Sequence, residues 1–302
     1  MINMEIEIPL YNINSAVKNV QLGSLSVGGN TSISFMQENN NNSKPFFALE
    51  IQYFEEDNYS KILKEFWGTK DFSLKFKKAE ESDCDIICVQ FNISDENLEN
   101  NLLKHINELN SHIEKTTKPI IIKGTNNKEV DKIILPEIAK NIKKQIAIAC
   151  IEETNYEQII PEIVRNNHIA VLRSPIDINL AKELNILSIE LGLSANKILI
   201  DTDMGALGYG LDYGYSMIEK IKQAGFEGDN MLNMPIITFI GAETYKTKEA
   251  KSSDFNENWG IQTQRAVMWE ISAGAAVISA GANIVVFSHG EALKTLKELI
   301  WN

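Results

Sequence analysis

Cysteine is scarce in this chain: three in 302 residues, at positions 84, 88 and 150. An odd, small number argues for reduced thiols and against a disulfide framework. It also falls short of the four closely spaced cysteines that hold an iron–sulfur cluster, so no cluster is expected in this chain. Cys84 and Cys88 sit in CDIIC, which reads as a buried strand with both thiols on one face. Long apolar runs are missing too. No stretch of about 18 apolar residues occurs, so no membrane-spanning helix is expected. The start, MINMEIEIPLYN, has no basic segment leading into an apolar one; no secretory signal is expected, and a cytoplasmic location is. Positive charge is short as well, with 29 Lys and Arg against 41 Asp and Glu and a formal net charge of −12. That balance repels phosphate backbones and anionic lipid, so neither nucleic acid nor a membrane surface is an expected partner.

What is present is a regular alternation. Eight runs dense in β-branched residues span 46–52, 84–91, 118–124, 145–151, 168–174, 196–202, 234–241 and 282–289. Each is almost continuously apolar, the pattern of strands buried on both faces. Helical periods lie between them. In DINLAKELNILSIELG, Asp177 stands as an N-cap, Leu180, Leu184, Leu187 and Leu191 form one stripe, and Gly192 is a stop. The run 263–281 ends on glycine before the eighth strand, and 291–300 is a closing amphipathic helix. Eight such alternations predict a (β/α)8 TIM barrel over 46–302. A dinucleotide-binding open sheet would carry G-x-G-x-x-G after its first strand, and YFEEDNYSKIL stands there instead. Residues 1–45 break the alternation. MEIEIPLYN and VQLGSLSVGG read as strands, TSISFM as a further candidate, Gly28–Gly29 as a hairpin turn and the asparagines at 39–42 as a linker. This predicts an N-terminal β-hairpin extension across the bottom of the barrel.

Barrel enzymes work at the C-terminal ends of their strands. Here those ends are rich in amides and hydroxyls, and their bases are few: Arg173 and Lys123. Lys123 is the one strand-end lysine, so a Schiff-base lyase is disfavoured. After the sixth strand comes DTDMGALGYGLDYG. Gly205, Gly208, Gly210 and Gly214 permit close backbone approach and positive φ, while Tyr209 and Tyr213 supply flat surfaces with a polar tip. The alternative is a plain flexible loop with its tyrosines packed on helices. Glycines and planar side chains on an acidic rim suit a large neutral or amide-bearing planar ligand rather than a nucleotide.

DTDMGALGYGLDYGYSMIEKI, with SPIDINLAKELNI before it, GAETYKTKEAK after it and GANIVVFSH near the end, resembles the small subunit of the corrinoid iron–sulfur protein. This is the acetyl-CoA decarbonylase/synthase delta subunit family. The likeness runs from about residue 46 to the C-terminus. It implies a heterodimer with a large corrinoid iron–sulfur subunit, cobalamin at the interface beneath this barrel's top, and the iron–sulfur cluster in the partner alone. It further implies a methyl carrier, serving a methyltetrahydrofolate methyltransferase on one side and CO dehydrogenase/acetyl-CoA synthase on the other.

The corrinoid-facing candidates that follow are Ser174, Pro175, Asp177 and Asn179, then Thr202, Gly205, Ala206, Gly208, Tyr209 and Gly210. Gly241, Glu243, Thr244, Tyr245 and His289 complete the set. No catalytic side chain and no metal ligand is expected. Histidines that ligate cobalt stand in D-x-H-x-x-G, and His105, His112, His168 and His289 do not, so His289 reads as a rim hydrogen-bonding residue. Glu243 reads as a loop cap before a general acid, and Asp177 as a cap first. Asp201 carries the competing reading, a methyltetrahydrofolate-binding corrinoid methyltransferase in which that carboxylate holds the pterin.

Overall fold

The computed structural model describes residues 15–31, 44–55, 59–93, 95–205 and 207–301, the side chains of 95–100 excepted. Ten strands are present among them: β1 (Val20–Leu22), β2 (Leu25–Val27), β3 (Phe46–Gln52), β4 (Ile86–Gln90), β5 (Ile120–Lys123), β6 (Ala147–Ile151), β7 (Ile169–Arg173), β8 (Ile198–Asp201), β9 (Ile236–Thr238) and β10 (Ile284–Phe287). The last eight close into an all-parallel barrel, with β10 pairing to both β9 and β3. The TIM barrel expected from the eight apolar runs is the fold observed.

Period-two alternation divides every barrel strand between two cores. Ile87, Val89, Ile122 and Ile148 face the helices, while Ile86, Cys88, Ile121 and Ala147 fill the barrel axis. Small inward residues such as Ala48, Ala147 and Ala149 leave room for large ones on facing strands. The three cysteines are free and buried. The paired-face expectation for Cys84 and Cys88 fails: Cys84 precedes β4 in a turn, where its thiol donates to the Ala79 carbonyl, and only Cys88 points along the axis. Burial raises the thiols of Cys88 and Cys150, which keeps them protonated.

The N-terminal hairpin closes the bottom. Val20, Leu22 and Val27 join the axial core with 0% exposure. Lys18 N–H donates to the Asn233 carbonyl and Asn233 Nδ2 to the Ala16 carbonyl, both just before β9. The expected turn at Gly28–Gly29 is displaced. β1 and β2 pair within the single run read as one strand and turn at Gly23, whose φ is 57°. Gly28 and Gly29 instead bend the chain back past Lys18, where a Cβ on Gly28 would meet the Lys18 carbonyl oxygen at 2.1 Å. The strand expected at 4–12, most of TSISFM and the asparagine run fall outside the described residues.

Beneath the barrel, Lys222 of helix Asp212–Phe226 is buried, with no carboxylate among the described residues acting on it. Its Nζ donates to Asn283 Oδ1 at 2.6 Å, an oxygen that also accepts Ile236 N–H, and Asn283 Nδ2 reaches Asn30 Oδ1 of the hairpin. Burial lowers this ammonium to about 7. Below pH 7 both folded and unfolded chains carry the proton, so the desolvation cost is fully present. It fades as pH rises from 7 toward the unfolded value of 10.5. Lys222→Met is therefore expected to stabilise the protein at pH 7 by on the order of 1–3 kcal/mol. Urea unfolding at pH 7 and pH 10 checks it; an equal gain at both would show that the charge is not the cause.

Candidate functional site

Strand register brings an unusual layer to the top of the barrel. Glu50, Lys123 and Arg173 come from β3, β5 and β7, and Phe239 from the residue just after β9, alternate strands contributing one side chain each at a position that branched aliphatic residues dominate in barrels of this kind. Lys123 Nζ lies 3.4 Å from Glu50 Oε2 and 5.1 Å from the Phe239 ring. The Arg173 guanidinium lies 5.7 Å from the same ring and donates from Nε to Asp201 Oδ2 at 2.6 Å. The other Asp201 oxygen accepts Asp203 N–H at 3.0 Å. Burial raises the Asp201 carboxyl while Arg173 pulls it back. The same burial is the largest single effect on the guanidinium and disfavours its charge, but Asp201, with help from Cys150 and Asp203, outweighs it and holds Arg173 charged. These pairs fill the mouth. Beside them lie small cavities, one of about 80 Å3 lined by Tyr59, Gln90, Tyr245, Ser288 and Lys251 and one of about 50 Å3 lined by Cys150, Glu152 and Arg173.

Two corners flank this layer. At the first, β9 and β10 end together. Gly241 packs so tightly on β10 that a Cβ would lie 2.3 Å from Ser288 N. Glu270, from helix Gln262–Ala280, is fully buried beneath and accepts Ser288 N–H at 2.6 Å, His289 N–H at 3.4 Å and the Tyr245 hydroxyl at 3.1 Å. Burial pushes Glu270 up to about 8. His289 is also buried. Its ring lies 4.2 Å from that of Phe66, its Nδ1 accepts Glu291 N–H, and burial lowers it to about 4, so it is neutral at physiological pH. Thr244 is buried, its hydroxyl without a partner among the described residues, and Glu243 pairs with Lys246 at 2.7 Å.

At the second corner β7 and β8 end together. Ser174 N–H donates to the Asp201 carbonyl and Ile176 N–H to the Thr202 carbonyl, so the SPIDIN segment is laced to the start of the glycine-rich loop. Asp177 caps helix Ile178–Glu190, its Oδ1 accepting the N–H groups of Asn179 and Leu180. Ser174 and Thr202 are buried, their hydroxyls without a partner among the described residues, whereas Pro175, Asp177 and Asn179 are exposed. The glycines do not all act as expected. Gly210 alone of the four has positive φ; Ile176 (46°) and Asp203 (56°) adopt left-handed backbone instead. Gly214 is a packing glycine, its absent Cβ replaced by Met204 Sδ. Gly208 has nothing within 4 Å of where a Cβ would sit, and Tyr209 is 91% exposed. Gly205 N–H closes a turn on Asp203 Oδ1. Ala206 lies outside the described residues.

The candidates thus gather in two groups, Ser174 to Gly210 at one corner and Gly241 to His289 at the other, with the ionic layer between them. Sequence reading does not single out Glu50, Gln52 or Glu270. Glu50 and Gln52 were legible as two polar residues at alternate positions of an apolar run, while Glu270 looks like any acid in a long helix. No group of three or more His, Cys, Asp or Glu that could hold a metal occurs among the described residues. No helix among them is long and apolar enough to cross a membrane.

Fold and strand-end geometry together define a TIM barrel whose mouth is filled by buried ion pairs. Solved structures with this architecture include dihydropteroate synthase of Coxiella burnetii in complex with pteroic acid (TM-score 0.58, 12% identity, covering 95% of this chain and 97% of that one). The Yersinia pestis dihydropteroate synthase matches with a TM-score of 0.56 and 10% identity, over 94% of this chain and 99% of that one. At such identities the likeness is one of fold alone. The family is more specific: residues 19–302 match the CO dehydrogenase/acetyl-CoA synthase delta subunit family, and the chain belongs to it. The acetyl-CoA decarbonylase/synthase complex subunit delta of Methanocaldococcus jannaschii is 30% identical over 188 residues, covering 60% of this chain and 44% of that one. The subunit delta of Archaeoglobus fulgidus is 32% identical over 189 residues, covering 60% and 41%. The chain spans less than half the length of these curated relatives.

Proposed function

We propose that this chain is the small subunit of a heterodimeric corrinoid iron–sulfur methyl carrier. In that role it passes a methyl group from methyltetrahydrofolate, by way of a methyltransferase, toward acetyl-CoA synthase in the reductive acetyl-CoA pathway. Its location is the cytoplasm, the iron–sulfur cluster belongs to the large subunit, and cobalamin lies between that subunit and this barrel's top. The observation that carries the reading is a filled mouth beneath an exposed aromatic rim. A cavity of about 80 Å3 is well below the roughly 300–1,000 Å3 of sites that swallow a small molecule. A macrocycle therefore rests on the rim rather than inside the barrel.

The residues present fit a corrin, a flat ring fringed with amides. Tyr209 and Tyr213 offer exposed planar faces, Pro175 and Ile176 exposed apolar surface, and Gly208 an unobstructed approach. When bound, the corrinoid supplies the methyl-carrying chemistry. This chain's own residues cover one face, orient it and limit water there, and none of them is required to move a proton. The folate-binding alternative draws no support from Asp201, whose two oxygens are taken by Arg173 and Asp203. The same proposal divides the chain at residue 45, into an N-terminal extension (1–45), whose hairpin Val20–Val27 closes the bottom, and a barrel (46–302) that carries the rim.

Gly208→Val and Tyr209→Ala in the assembled complex test it. Both sites are exposed and Gly208 does not need positive φ, so the thermal midpoint should hold. Cobalt retention should fall about tenfold, or ~1.4 kcal/mol. Retention equal to wild type in both variants would mean that the GALGYG loop faces elsewhere.

A further inference from the structure

Two buried charges at the barrel's mouth hold each other loosely. Glu50 and Lys123 are 4% and 3% exposed, yet their one ion-pair contact is Lys123 Nζ to Glu50 Oε2 at 3.4 Å. Such a bond is ordinarily about 2.7–2.9 Å long, and the nearby Arg173–Asp201 pair closes to 2.6 Å. The second Glu50 oxygen receives no hydrogen bond from the described residues, and Lys123 donates none besides the long one. Ions this deep need their remaining hydrogen-bonding capacity met.

Both side chains line the cavity of about 80 Å3, and Gln90 lines it with them. Strand register sets Gln90 of β4 beside Lys123 of β5. Gln90 Nε2 donates to the Gly124 carbonyl, so Oε1 is the atom it can offer to the cavity. The Tyr245 hydroxyl is committed to Glu270. The wall therefore offers two acceptors, on Glu50 and Gln90, and one cationic donor, Lys123.

The charges and the volume select the occupant. Lys246 and Lys251 also line the cavity; Lys246 is paired with Glu243 at 2.7 Å, and Lys251 has no carboxylate within ion-pair distance among the described residues. A cation would meet these lysines and Lys123. A carboxylate would sit against Glu50, and an apolar group would leave both buried ions unmet. A hydroxyl brings one proton to two acceptors. A primary carboxamide brings two N–H donors and one carbonyl acceptor on neighbouring atoms. A space of about 80 Å3 holds several water-sized spheres at about 10–15 Å3 each, enough for such a group.

We propose that this cavity is a carboxamide subsite: the ligand's NH2 donates to Glu50 Oε1 and Gln90 Oε1, and its carbonyl accepts from Lys123 Nζ. The source rests on the carrier reading above, since the corrin is fringed with such groups and one of them can enter while the ring stays on the rim. A free small amide carries the same chemistry, and the test separates the two.

In the first arm the full chain is titrated with propionamide, propionate and propanol, followed by the backbone amide NMR signals of Gly124 and Ser288. Propionamide should bind saturably and the other two at least tenfold more weakly. Ala242→Leu and Ser60→Leu add bulk to the cavity wall at half-buried positions outside the ion pair, and each should weaken propionamide at least tenfold. In the second arm the assembled complex is loaded with cobinamide, whose side arms are amides, or with cobyrinic acid, whose side arms are carboxylates. Both variants should lower cobinamide retention at least tenfold and leave that of cobyrinic acid unchanged. No propionamide binding, or propionate binding as tightly, would overturn the subsite, and cobinamide retention by the wild type would leave the carrier reading standing. Propionamide binding with cobinamide retention unmoved by either variant would overturn the corrin as source and assign the subsite to a free amide. A wild-type complex that holds no corrinoid would overturn the carrier reading, whatever the first arm shows.

Discussion

Glu270→Ala is expected to cost the barrel roughly 3–5 kcal/mol. Three buried donors converge on this carboxyl, the N–H groups of Ser288 and His289 and the Tyr245 hydroxyl. Each donor left unpaired away from water costs about 1–3 kcal/mol, and partial relaxation recovers some of it. Glu270→Gln keeps an acceptor oxygen in place and should be tolerated. The two variants also differ in pH dependence. The folded value of about 8 lies above the unfolded 4.5, so both states are protonated below pH 4.5 and the group contributes nothing there. Between 4.5 and 8 the unfolded chain ionises first, and stability is lost as pH rises; above 8 the loss is complete. Urea unfolding at pH 5, 7 and 9 should show wild type falling relative to Glu270→Gln. Parallel curves would mean that the carboxyl does not titrate with folding.

Arg173→Met should be comparably damaging, about 3–5 kcal/mol, because it leaves Asp201 at 0% exposure with only the Asp203 N–H. The double variant Arg173→Met/Asp201→Asn should recover most of that loss, since desolvating the pair offsets much of its attraction. A double-mutant cycle by urea unfolding measures the coupling, and an additive cycle would show that the pair is not one. The cycle also bears on function. Asp201→Asn should lower stability and leave methyl transfer within about tenfold, ~1.4 kcal/mol of barrier. Full stability with transfer reduced by orders of magnitude would revive the folate-binding alternative.

Much of the fold was legible along the chain. The eight barrel strands lie within the eight apolar runs, Asp177 caps its helix as its residue type and position indicate, and Gly192 and Gly281 end theirs with positive φ. These are local matters, set by β-branched density, capping chemistry and the backbone freedom of glycine. The buried face of helix Ile178–Glu190 was read with less success. The leucine stripe predicts Leu187 and Leu191 inward, yet Ala181, Leu184, Asn185 and Ser188 are buried, with Asn185 Nδ2 bonded to the Met231 carbonyl. A buried amide whose N–H is met by a residue 46 positions away leaves no local signal.

By itself, then, the sequence determined that eight parallel strands form and roughly where each lies, and that the loops after the fifth and sixth carry exposed, glycine-rich and aromatic chemistry. Tertiary structure alone decided what fills the mouth and what holds the corners. Period two places Ala48, Glu50 and Gln52 on a common face of β3, but only barrel closure turns that face toward the axis and meets Glu50 with Lys123 from a strand two places away. Glu270 likewise becomes the acceptor for two strand ends only because its helix packs across them. The same closure seats the hairpin under the axis and directs Lys222 to Asn283. Partnerships of this kind depend on positions far apart in the chain, where neighbouring residues exert no influence, and the barrel's geometry supplies them.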